Sequence, residues 1–178
     1  MVSRKHINMQ KNIGKVGPGT FAFYSKWYHS AIWAVLTFFK FKRNYKALSK
    51  VLYPEITPDQ AKSSIQLLTK LGFLKKNEQG YLEPTDRSIS SGETENSPEV
   101  SEFHEQTMSL AREAMNKVPL DQREMSTMTI SISDRTYKEV LNTIKACRQQ
   151  LFKIARNDKT PRRVFQINFQ VFPLSKGM

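Results

Sequence analysis

Residues 57–85, TPDQAKSSIQLLTKLGFLKKNEQGYLEPT, limit the choice of folds more than any other stretch of the chain. Thr57 stands where a helix is capped, and Pro58 suits the first turn, which needs no amide proton. Gln60, three residues after the cap, can reach back to complete a capping box. Ala61, Ile65 and Leu68 share one face at helical spacing, and Leu67 and Leu71 widen it. Asp59, Lys62, Ser63, Gln66 and Lys70 fall on the opposite face, a set that both donates and accepts hydrogen bonds. Gly72 ends the helix. Residues 73–76 and 80–83 then flank the polar turn Asn77-Glu78-Gln79-Gly80, which predicts a short hairpin. A helix followed at once by a hairpin is the second half of a winged helix-turn-helix, so this helix is expected to read duplex DNA.

The preceding residues extend that expectation. Along 21–41, FAFYSKWYHSAIWAVLTFFKF, the residues Tyr24, Trp27, Tyr28, Ala31, Ile32, Val35, Leu36 and Phe39 recur at three- and four-residue steps. This predicts one long core helix. His29 lies in it and is read as a buried, hydrogen-bonded histidine, because neither His6 nor His104 stands at metal-ligand spacing. Asn44 can cap a short amphipathic helix over 45–52, and Pro54 marks a turn before the capped helix. Helix, turn, helix and wing within 21–87 make a winged helix-turn-helix domain.

Charge supports a polyanionic partner. The chain has 28 basic and 16 acidic side chains, and residues 1–87 hold 15 of the former and 5 of the latter. A cationic half of this kind suits nucleic acid or an anionic surface. Lys62, Ser63, Gln66 and Lys70 are expected to face the major groove, Gln66 by bidentate contact with adenine. Lys75 and Lys76 on the wing, with Lys42, Arg43 and Lys46, are expected to take phosphates. Residues 1–20, basic and interrupted by Gly14, Gly17, Pro18 and Gly19, read as a flexible arm.

Residues 88–100, within a Ser-, Glu- and Gly-rich run, read as a linker. Beyond it, 101–175 reads as an αβ dimerisation or effector domain. Ser101 is placed to cap a helix over 101–117, which Pro119 stops. Residues 125–133 then alternate, apolar at Met128, Ile130 and Ile132 and hydroxylated at Thr127, Thr129, Ser131 and Ser133. A long helix capped by Asp134 follows, over roughly 135–156. Residues 163–172 alternate again, with Phe165, Ile167, Phe169 and Val171 on one face. Strand, helix and strand predict a βαβ-like unit. Two strands make a weak sheet alone, so either another strand joins or a second chain completes it, which predicts a homodimer. Met108, Met115, Met125 and Met128 read as core, or as the lining of an effector pocket.

Catalytic motifs are missing: there is no P-loop, no GxGxxG, no GxSxG and no HExxH. No enzyme, cofactor or metal is expected. The single cysteine, Cys147, excludes an intramolecular disulfide, and no apolar run approaches the ~20 residues that span a bilayer. The expected setting is the cytoplasm, with no membrane partner.

Four stretches carry a resemblance. They are Tyr24-Ser25-Lys26-Trp27-Tyr28-His29; Tyr53-Pro54-Glu55-Ile56-Thr57 with Leu71-Gly72-Phe73; Arg123-Glu124-Met125-Ser126 leading into Thr129-Ile130-Ser131; and Gln166-Ile167-Asn168-Phe169-Gln170-Val171-Phe172-Pro173-Leu174. In order and spacing they resemble an uncharacterised bacterial family, known as a domain of unknown function and expanded in certain fibre-degrading and predatory bacteria. Its members are usually described as transcriptional regulators. Many carry a further helical, DNA-binding-like region upstream, and this chain begins almost at the shared segment, as a short member or a C-terminal portion would. The resemblance thus implies a regulator. The alternative expectation is a winged-helix module that docks on an acidic protein without touching DNA.

Overall fold

The computed structural model describes residues 21–85 and 98–176. The arm expected over 1–20, and most of the expected linker, lie outside them. The fold is mixed α+β, mainly helical, with a two-stranded antiparallel sheet. The chain divides into two compact units. Among the described residues the first comprises 21–106 with 159–164, and the second 107–158 with 165–176.

The first unit begins with two short helices. The apolar run 21–41 is broken into α1 (Phe21–Tyr24) and α2 (Trp27–Val35) and does not form one long helix. Lys26, at φ −142° and ψ 135°, is extended, and Ser25 Oγ bends back to donate to the Ala22 carbonyl at 2.8 Å. The Trp27 amide donates to Gln106 Oε1 at 2.8 Å, and Gln106 Nε2 donates to the Ser25 carbonyl. One side chain from far along the sequence thus satisfies the backbone groups exposed by the break. At the other end α2 tightens, with the Thr37 and Phe38 amides reaching the carbonyls of Ala34 and Val35.

Helices α3 (Tyr45–Val51) and α4 (Pro58–Lys70) follow, and α4 packs against both α2 and α3. Asn44 caps α3, its side-chain oxygen accepting from the Ala47 amide at 3.0 Å. The capping box of α4 is complete: Thr57 Oγ1 accepts from the Gln60 amide at 3.1 Å, and Gln60 Oε1 accepts from the Thr57 amide at 2.8 Å. At the far end Gly72, at φ +76°, turns the chain in a conformation that disfavours a Cβ.

Strands β1 (Leu74–Lys76) and β2 (Leu82–Pro84) pair in the register Leu74–Pro84, Lys75–Glu83, Lys76–Leu82. Asn77 holds their turn, its side-chain oxygen accepting from the amides of Gln79 and Tyr81. Phe41 forms an isolated antiparallel bridge to Leu82. Phe23, Ile32, Phe41, Leu48 and Leu68, each at most 1% exposed, lie in the core of this unit. Helix α5 (Pro98–Lys117) starts three residues before the expected cap at Ser101, because Val100 is drawn into that core and Phe103 meets the Tyr24 ring edge-on at 5.2 Å.

The second unit contains the end of α5, a 3-10 turn at Leu120–Gln122 and helix α6 (Asp134–Asn157). Arg123 Nη1 donates to the Ala114 carbonyl, which also accepts from the Val118 amide at the end of α5. Ser133, one residue before the expected cap, caps α6. The βαβ-like ladder is not formed. Residues 124–132 and 164–172 make no backbone–backbone hydrogen bond among the described residues, and the two flank α6 as unpaired segments. An alternating sequence specifies which side chains share a face, but a strand exists only where a neighbour accepts its amides. The four methionines expected to fill core or line a pocket are all exposed, Met128 at 82%.

Candidate nucleic-acid interface

Helix α4 is divided lengthwise. Ala61, Ser64, Ile65 and Leu68 are buried, while Asp59, Lys62, Ser63, Gln66 and Lys70 are exposed. The division follows from the sequence: apolar and small residues recur every three or four positions, and the residues between them are polar. Among the described residues Lys62 and Lys70 form no ion pair. The capping box occupies the Gln60 side chain, so Gln66 carries the one side-chain amide of α4 left open to solvent.

A second group of cations collects at the hairpin. Phe41, Lys42, Arg43, Tyr45, Lys76, Gly80 and Leu82 line a cleft of about 390 Å³. Lys42 Nζ lies 5.6 Å from the centre of the Tyr81 ring, a cation–π contact that holds the ammonium over the hairpin turn. Arg43 adopts φ +66°, a left-handed conformation uncommon for a side chain with a Cβ, directly before the Asn44 cap. Lys42, Arg43 and Lys76 therefore converge, all three exposed. Lys46 is exposed on α3 and does not line this cleft. Lys75 is drawn away to Glu83 at 3.5 Å, its cross-strand partner, so the two hairpin lysines are not equivalent.

Behind α4, Ser64 Oγ lies 2.8 Å from Nδ1 of His29. Burial, reinforced by the charge of Lys26, lowers the imidazole pKa from 6.5 to about 4, so the ring is neutral at physiological pH. His29 is thereby a packing residue that ties α2 to the buried face of α4, as the sequence led us to expect. Sequence reasoning did not find the Lys42–Tyr81 contact, the Phe41–Leu82 bridge or the backbone of Arg43. No residue type in the window signals the last of these, since arginine is not among the residues that favour the left-handed region.

Comparison with known proteins adds a family. Residues 7–174 match the domain of unknown function DUF4423. The chain belongs to that family. The DUF4423 match spans all four stretches on which the resemblance rested, and it extends across both compact units to residue 174. No curated protein and no solved structure matches the chain. Among the described residues of this DUF4423 chain, no helix is long and apolar enough to cross a membrane.

Proposed function

We propose that residues 21–85 of this DUF4423 protein are a winged helix-turn-helix that binds duplex DNA, and that the protein is a transcriptional regulator. The observation that carries this reading is the exposed face of α4, where Lys62, Ser63, Gln66 and Lys70 stand open while the opposite face is sealed into the core. Element order supports it: α2, the Phe41 bridge, α3, α4, then the β1–β2 hairpin. In this reading α4 enters the major groove, where Gln66 can pair bidentately with adenine and Lys62 or Lys70 with guanine. Lys42, Arg43, Lys46 and Lys76 neutralise phosphates and set the register without reading sequence.

The test is fluorescence anisotropy of labelled duplexes across a salt series. Four neutralised phosphates predict a slope of log K against log salt of about −3.6. Gln66→Ala should relax selection at one base pair by about 1–3 kcal/mol and leave the salt slope unchanged. Failure to bind any duplex at about 50 mM salt, where non-specific attraction is strong, would overturn the proposal in favour of a protein-docking role.

A further inference from the structure

The second unit carries the makings of a core and lacks the core itself. Every buried apolar residue among the described ones lies in the first unit, the last of them being Val100. Helix α6 has 24 residues, none buried, although Tyr137, Val140, Leu141, Ile144, Leu151 and Phe152 recur at helical spacing. The segments on either side of it alternate in period two yet form no backbone pairing among the described residues, and their apolar positions stay open, Ile130 at 51% and Phe165 at 69% exposed. Ordering such a unit costs conformational entropy that its own burial cannot offset.

We propose that a second copy of this chain closes this unit, with segments 125–133 and 165–172 becoming strands of an intermolecular sheet packed under the apolar stripe of α6. Three observations select that occupant. Neither segment holds a charged residue, whereas an edge meant to stay unpaired is protected by lysine, proline or a bulge. Their polar faces are complementary and neutral, with Thr127, Thr129 and Ser131 on one and Gln166, Asn168 and Gln170 on the other. Finally, neither 1–20 nor 86–97 offers a matching strand: 86–97 contains a single large aliphatic, Ile89, and 1–20 is broken by three glycines and a proline. A two-fold pairing lets each copy supply what the other lacks. Asn168 Nδ2, donating to the Thr107 carbonyl at 3.2 Å, already ties one segment to α5. The inference does not depend on DNA binding.

The test joins sedimentation with amide hydrogen exchange on the full chain at tens of micromolar. The expected result is a particle of twice the chain mass, with amides of 126–132 and 166–172 protected. Ile130→Lys and Phe169→Lys, which set a charge in the middle of each apolar row, should each halve the mass and release that protection. Amides of α4 should remain protected in both variants, which separates loss of pairing from loss of folding. Three outcomes overturn the proposal: a monomer whose segments exchange freely, a monomer whose segments are protected, or a dimer that persists in both variants.

Discussion

His29 makes stability depend on pH in a way that the structure lets us calculate. Its ring is 6% exposed, hydrogen-bonded to Ser64 Oγ, and met edge-on by Tyr28 at 4.8 Å. The folded pKa is lowered to about 4 from 6.5, first by burial and then by the Lys26 charge. Between those values the unfolded chain binds a proton that the folded chain refuses, so stability falls as pH drops. Integrating the linkage from pH 7 to pH 5 gives a loss of about 2 kcal/mol, approaching about 3 kcal/mol once pH falls below the folded value. Against a total of roughly 5–15 kcal/mol for a folded domain, that is readily measured. Urea unfolding of the wild type and of His29→Gln across this range isolates the term, because carboxylates titrate equally in both. The wild type should lose about 2 kcal/mol more than the variant between pH 7 and pH 5. Parallel profiles would show that the imidazole is protonated, or solvated, in the folded protein, and the argument from burial would fail.

Other substitutions test separate features. The Tyr24 hydroxyl is buried without a hydrogen-bond partner among the described residues, and burial pushes its phenol pKa up; Tyr24→Phe should raise stability by about 1 kcal/mol, read as a higher urea midpoint at unchanged slope. Thr57→Ala removes half of the α4 capping box and should cost about 1 kcal/mol in the same assay. Arg43→Gly should be more stable than Arg43→Ala by about 1 kcal/mol, since glycine accepts a φ of +66° without strain, while the two lose DNA affinity equally in an anisotropy titration. Lys76→Ala should lower the salt slope of DNA binding by about 0.9, and Lys75→Ala by less, because Glu83 already engages Lys75.

What could be read in advance was local. Thr57 and Gln60 are three residues apart, and Asn77 and Gly80 likewise, so the chemistry of each cap and turn lies inside a single window of sequence. The face of α4 was legible for the same reason, since Ile65 and Leu68 declare its inner side without reference to the rest of the chain. The break between α1 and α2 was not, because the groups that stabilise it, Glu102 and Gln106, stand 76 and 79 residues from their partners Lys26 and Trp27. Within the window 21–41 the aromatic spacing is an uninterrupted helix pattern, and only tertiary contacts reveal the bend. The alternating runs after Met125 failed in the opposite sense. Their alternation predicts strands that the structure does not form, since pairing is a property of two segments, and neither pairs among the described residues. In the candidate interface, residue type placed Lys42, Arg43 and Lys76 among the phosphate contacts, but only the register of β1 with β2 separates Lys75 from Lys76.

Gln106 has a consequence for synthesis. The first unit takes its last core side chains, Val100 and Phe103, and the amide that bridges Ser25 to Trp27, from α5. A nascent chain that has reached the end of β2 therefore still lacks part of its N-terminal core. At roughly 5–20 residues per second, the remaining stretch delays completion by about 1–4 s. Until then Tyr24 has no Phe103 against it and the Trp27 amide has no acceptor. Any ribosome pausing, proteolysis or truncation within the polar stretch before Pro98 would strand the unit in that state, with α4 already synthesised and its hydrophobic floor still open.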